Sequence, residues 1–205
     1  MFRKENLIKY IENKRNKSKF NETLNINYLF KKNIKIENYT ILPKKIKKIN
    51  KKIMLFTNDE KNINLFNNLC DYTFCNHFKK SIKILKKNKK IIIIADYQSY
   101  KKVNKEIGKI IKRKKINFGY KYGNITNKIK ELIKQIKKGK YITLKSKNNS
   151  LKTIFGKIKM KKKNIIENIT FLNKYINKIY KKIDRKNYIE KKIIYSTQSK
   201  EVIYE

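Results

Sequence analysis

Two uninterrupted apolar runs, Ile53-Met54-Leu55-Phe56-Thr57 and Ile91-Ile92-Ile93-Ile94-Ala95, constrain the fold of this chain more than any other feature. A strand with one wet face alternates apolar and polar residues, so a run without polar interruption needs cover on both faces, as in a parallel sheet flanked by helices. Between the runs, Leu65, Phe66 and Leu69, and then Phe78 and Leu85, recur at helical spacing. Strand, helix and strand with fully apolar strands predict a small parallel α/β unit, placed at 53–122.

The flanks follow other periods. Lys4 to Arg15 sets Leu7, Ile8 and Ile11 on one helical face, and from Phe20 to Phe30 the residues Leu24, Ile26, Tyr28 and Phe30 alternate with Thr23, Asn25 and Asn27. The polar side of that strand is a solvent face or a ligand surface. Beyond Gly123, a helix through Ile129, Leu132, Ile133 and Ile136 stops at Gly139, and strands follow at Tyr141 to Lys145 and Leu151 to Met160. A long helix then carries Ile165, Ile169, Leu172, Ile176, Ile179 and Ile183, a stretch too short for a coiled coil and suited to facing a core. Lys191 to Tyr195 closes as a strand. The flanks together predict a split α+β domain, residues 1–52 plus 123–205, built as a ferredoxin- or RRM-like βαβ sandwich. A Rossmann-like three-layer α/β domain, 53–122, is inserted in it, and the two connections near Lys51 and Tyr122 form a hinge.

Charge narrows the partner. Fifty-six lysines and arginines face 15 acidic residues, a net charge of +41 spread along the whole chain. Such a body repels itself unless a polyanion neutralises it, which points to nucleic acid. Part of the lysine, like the abundant asparagine and isoleucine, reflects drift towards A- and T-rich codons. Hydrophobic residues make up 40%, with 14 Tyr and 10 Phe, which excludes a disordered basic tail. The start, Met-Phe-Arg-Lys-Glu-Asn, has no apolar run of signal length, and Ile91 to Ala95 is too short to span a bilayer, so a soluble intracellular protein without a membrane partner is expected.

Catalytic signals are weak. Cys70, Cys75 and His77 are spaced like part of a zinc site, but the chain has no fourth Cys or His, and two reduced, partly buried thiols are the expectation. Asp96 ends the second apolar run at the position where α/β enzymes place ligands, yet no Gly-rich phosphate loop accompanies it. An enzyme that processes nucleic acid with magnesium held by Asp59, Glu60 and Asp96 is one alternative, and a generic nucleic-acid compactor is another. No catalytic apparatus, cofactor or metal is expected.

Three segments carry a resemblance: Lys19-Phe20-Asn21-Glu22-Thr23-Leu24, Phe155-Gly156-Lys157-Ile158 and Ile194-Tyr195-Ser196-Thr197-Gln198-Ser199. In order and spacing they resemble the ribosomal protein L-one family, the universal large-subunit protein of the mobile ribosomal stalk, in its archaeal and eukaryotic branch. The likeness covers nearly the whole chain and includes the Lys200 to Tyr204 end. It departs from the family at Ile107 to Lys115, where the family has a Gly- and Pro-rich loop, and at Gln198-Ser199, where the family has Met-Gly. The resemblance implies a structural large-subunit protein that binds stalk helices of the large rRNA and supports release of exit-site tRNA. It implies a cytoplasmic ribosome of a eukaryotic-type system, with a reduced or organelle-enclosed compartment left open. Lys19, Phe20, Glu22, Thr23, Gly156, Lys157, Ser196, Thr197 and Gln198 are the implied RNA site. Hydroxyls of Ser196 and Thr197 suit ribose and phosphate oxygens, and Gln198 suits a bidentate contact. Lys157 suits a phosphate, and Glu22 suits orienting Lys19 or a neighbouring hydroxyl. On residues alone, Phe20 reads as core and the Ser-Thr pair as an ordinary turn. Repression of a messenger RNA that mimics the ribosomal site is a further alternative.

Overall fold

The computed structural model describes residues 4–17, 19–46, 52–59, 63–75, 78–88, 90–183, 189–198 and 202–204. His77, Glu60, Lys51, Ser199 and Lys200 lie outside them. The chain divides into two compact units, Met1–Lys47 with Lys140–Glu205, and Lys48–Gly139.

In the first unit the alternation from Thr23 produces β1 (Thr23–Phe30), with Leu24, Ile26, Tyr28 and Phe30 all buried. Their face receives α1 (Lys4–Lys17), through Leu7 and Ile11, and α6 (Lys162–Ile183), through Ile165, Ile169, Leu172 and Ile176. The 4-3-4 spacing of the α6 residues makes one stripe, and the stripe packs on the sheet as a core-facing helix should. The sheet has six strands in the order β2 (Glu37–Ile41), β6 (Tyr141–Lys147), β7 (Ser150–Lys157), β1, β8 (Ile189–Ser196) and β9 (Val202–Tyr204). Every pairing in it is antiparallel. β7 and β8 both run against β1 and so run parallel to each other, joined by α6: a split βαβ with β1 between its strands. A bulge lies beside Leu24, where β7 skips from Gly156 to Ile154.

In the second unit, the apolar runs form β3 (Lys52–Phe56) and β5 (Ile91–Ala95), parallel to each other and to β4 (Tyr72–Phe74), in the order β4-β3-β5. Met54, Phe56, Ile91, Ile93 and Ala95 share a cluster with Leu85 of α3 (Phe78–Lys87) and with Val103, Ile107 and Ile111 of α4 (Tyr97–Arg113). Ile53, Leu55, Ile92 and Ile94 alternate onto the opposite face and are equally buried. α2 (Ile63–Leu69) leads from β3 to β4, and α3 leads back across β3 to β5. Right-handed crossovers in opposite directions put these two helices on opposite faces.

Two expectations need correction. The return to the first unit comes at Lys140, not at Gly123, because α5 (Ile129–Lys137) buries Ile129, Leu132, Ile133 and Ile136 inside the second unit, alongside α2. Tyr122, expected at a hinge, is a buried residue of a 3-10 turn, Tyr120–Tyr122, within that unit. Ile107 to Arg113, where the chain departs from the family's Gly- and Pro-rich loop, forms the last turns of α4, since Val103, Ile107 and Ile111 recur at helical spacing on the core. No helix of the described residues is long and apolar enough to cross a membrane.

Candidate nucleic-acid interface

β1 is paired on both sides, and this brings the three sequence segments to one end of one sheet. Thr23 lies opposite Lys157, Leu24 opposite Gly156 on one side, and Leu24 opposite Ser196 on the other. Residues more than 170 positions apart therefore share hydrogen bonds: the Thr23 amide donates to Thr197 Oγ1 at 3.1 Å, and that hydroxyl sits 3.4 Å from the Thr23 carbonyl (|i−j| = 174).

Glu22 organises this edge. It is only 5% exposed, and its Oε2 accepts the Ser196 hydroxyl at 2.5 Å and the Gln198 amide at 3.2 Å. The Glu22 carbonyl also accepts the Ile158 amide at 3.0 Å, tying β7 to the same point. Of the two partners open to Glu22 in the sequence, the neighbouring hydroxyl is the one the geometry supplies. Ser196 is 2% exposed and its amide donates to the Tyr10 hydroxyl oxygen at 3.0 Å, so this residue sits inside the platform and not on its surface.

Gly156 also faces inward. A methyl group built there would stand 3.4 Å from Ile165 Cγ1 and 3.6 Å from Leu24 Cδ1, both core side chains. The outward groups are Lys19, Thr197 and Gln198, all exposed, with Thr23 and Lys157 partly so. Phe20 is 49% exposed, which corrects its placement in the core: it precedes the strand, and the Glu22 amide bonds back to the Phe20 carbonyl at 3.0 Å, so the strand's alternation does not reach it.

Several organisers went unrecognised in the sequence. Arg15 Nε donates to the Ile158 carbonyl at 2.8 Å and its Nη2 to the Met160 carbonyl, fixing the turn that follows β7. Asn21 Oδ1 accepts the Lys159 amide at 3.0 Å. Asn168, fully buried on α6, donates to the Phe155 carbonyl at 2.9 Å and bonds both the amide and the carbonyl of Lys44. A signal existed for Arg15, since an arginine kept in a lysine-dominated chain marks a place where the guanidinium fork is needed.

The second unit holds the residues of the enzymatic alternative. A cleft of about 270 Å³ opens at the carboxyl ends of β3 and β5, lined in part by Thr57, Asn58, Asp59, Asp96 and Asn127. Asp96 caps α4, accepting the Ser99 amide at 2.6 Å and the Asn58 amide at 2.8 Å. Burial pushes its carboxyl up, but those amides and the Thr57 and Ser99 hydroxyls pull it further down, to below the ordinary carboxylate range. The carboxylate thus takes the donors with which a helix start would hold a phosphate. Among the described residues no group of three or more His, Cys, Asp or Glu is placed to hold a metal. Cys70 and Cys75 are free and partly buried, and burial pushes the Cys70 thiol up to about 12, against a weaker downward pull from Lys137, so it stays a neutral thiol.

This arrangement offers an edge of hydroxyl, amide and cationic groups held by a buried carboxylate. No curated protein matches the chain. A model of the Ribosomal protein L1p/L10e family matches residues 7–200. The chain belongs to that family, as an rRNA-binding protein of the large ribosomal subunit that serves in translation.

Proposed function

We propose that this ribosomal protein grips the stalk helices of the large rRNA through the edge organised by Glu22, and that the gripped stalk supports release of exit-site tRNA on a cytoplasmic ribosome of eukaryotic type. Lys19, Phe20, Thr23, Lys157, Thr197 and Gln198 make the contacts, while Glu22, Gly156 and Ser196 hold them in place. The observation that carries this reading is the pairing of β1 with both β7 and β8, which collects the three segments at one point. Hydroxyls suit ribose 2′-OH groups in a shallow RNA minor groove, and the amide of Gln198 suits a base edge or phosphate.

The test is binding of the full chain to an isolated stalk rRNA fragment at fixed salt. Thr197→Val is expected to weaken binding by about 1–3 kcal/mol, because the hydroxyl loses its RNA partner inside the interface. Removal of a lysine remote from this edge is expected to lower affinity and the salt slope together, for any RNA. Equal loss from Thr197→Val and from a remote lysine variant such as Lys109→Ala refutes the site.

A further inference from the structure

Tyr97 and Tyr120 stand 51% and 56% exposed in the second unit. Tyr97 opens α4 and Tyr120 opens the 3-10 turn, and their rings stack with centroids 6.0 Å apart and planes 23° from parallel. Tyr100 meets Tyr120 edge-on at 4.9 Å and 67°, and lies 5.7 Å from Phe118. Tyr100 and Phe118 in turn pack on the apolar cluster under α4. The four rings form a strip fixed at its inner end by the core and bare at its outer end.

Charge defines what fits the bare end. Neither 97–105 nor 116–124 contains an acidic residue, whereas Lys101, Lys102, Lys105 and Lys121 are all exposed there. Lys101 lies one helical turn from Tyr97, and Lys121 Nζ sits 5.2 Å from the centre of the Tyr122 ring. Asp96, beside Tyr97, is turned onto the Ser99 and Asn58 amides, and the exposed Glu106 lies further along α4, beyond Lys105. An apolar protein surface would match the rings but offer no counter-charge to Lys101, one turn from Tyr97. A paired RNA helix would match the lysines but hides its base faces from the rings. Unpaired RNA presents both a π face and a phosphate at every nucleotide.

The geometry points to a second RNA contact, on the second unit: the strip ending in Tyr97 and Tyr120 stacks unpaired nucleotides, and Lys101 and Lys121 take the flanking phosphates. This contact is independent of the Glu22 edge, which belongs to the other unit.

The test uses the full chain with a single-stranded oligouridylate and with a blunt RNA duplex, at one salt concentration. Tyr97→Ala with Tyr120→Ala is expected to weaken oligouridylate binding about tenfold and duplex binding far less, whereas Tyr97→Phe with Tyr120→Phe retains both. Irradiating the complex with 5-iodouridine in the oligonucleotide is expected to cross-link Tyr97 or Tyr120 in the unaltered chain, a readout that needs no variant to fold. Unchanged oligouridylate binding by a folded alanine variant, or cross-links that map elsewhere, overturns the contact and leaves a protein partner as the occupant of the rings. Cross-links at Tyr97 or Tyr120 report on this contact alone, and the stalk-fragment measurement reports on the Glu22 edge alone, so failure here and failure of that edge read out separately.

Discussion

Replacing Glu22 by Gln removes one charge and almost no volume at the point where β1, β7 and β8 meet. Its Oε2 holds the Ser196 hydroxyl at 2.5 Å and the Gln198 amide at 3.2 Å, in a residue 5% exposed. Hydrogen bonds to a charged group contribute about 1.5–3 kcal/mol and neutral ones about 0.5–1.5. Loss of charge at a carboxylate that accepts both bonds is therefore expected to cost about 1–2 kcal/mol in Glu22→Gln. Glu22→Ala leaves both donors without this acceptor and costs about 2–5 kcal/mol. Urea unfolding followed by circular dichroism measures both. A double-mutant cycle with Ser196→Ala isolates the shared bond, with an expected coupling of about 1–2 kcal/mol. Additivity within about 0.3 kcal/mol refutes the claim that Glu22 acts through Ser196. RNA affinity gives a second and opposite-signed check. If charge alone governed binding, Glu22→Gln would tighten it, because the chain loses a negative charge. If Glu22 positions Thr197 and Gln198, the same change weakens binding to the stalk fragment, and a tighter complex refutes the positioning role.

Other outcomes follow from the same coordinates. Asn168→Ala leaves the buried Phe155 carbonyl and the part-buried Lys44 amide without this partner and is expected to lower stability by about 1–3 kcal/mol, read as a fall in the urea midpoint. Gly156→Ala places a methyl in ordinary contact with Ile165 and Leu24 and is expected to change stability by less than about 1 kcal/mol and to leave RNA binding intact; Gly156→Val overpacks the core at about 1–3 kcal/mol. The Cys70 thiol is raised from 9.0 to about 12 by burial, so above pH 9.0 the unfolded chain ionises while the folded chain does not. Stability present below pH 9.0 is thus lost as pH rises towards 12, and Cys70→Ala is expected to flatten that loss in pH-dependent urea melts.

The strands of this protein were more legible than its site. The two apolar runs announced β3 and β5 because their composition leaves no wet face, and the alternation in β1 announced its core side. β4 and β2 had no comparable signal: Tyr72–Phe74 is three residues long, and Glu37–Ile41 is held as a strand by pairing with β6. α4 was masked because Val103, Ile107 and Ile111 are separated by mixed residues, Asn104, Lys105 and Glu106 and then Gly108, Lys109 and Ile110, with a glycine in the middle of the helix. The boundary at Gly139 could not be read from α5 either, since an amphipathic stripe states that a core exists and not which of two cores it joins. The organising role of Glu22 depends on β1 pairing with strands at both ends of the chain, a long-range choice that no local period encodes. Phe20 shows the converse error, in which the period of a strand was extended past the residue where the strand begins.

A carboxylate at the edge proposed to face RNA, in a chain carrying +41, looks misplaced if lysine is taken as the source of recognition. At about 10 Å from a phosphate in water, its repulsion is about 0.4 kcal/mol, and salt screens it further. The hydrogen bonds it makes to Ser196 and Gln198 each lie in the range of about 0.5–3 kcal/mol, and they fix the groups that carry geometry. Order outweighs repulsion at this position. Lysine, by contrast, is abundant over both units, and its contribution to binding falls steeply with salt whatever the RNA. Affinity that survives high salt should therefore track Glu22, Thr197 and Gln198, and affinity that vanishes with salt should track the lysines. Raising salt on the unaltered chain separates the two contributions on one protein: the preference for stalk RNA over an unrelated RNA of equal length is expected to widen as total affinity drops.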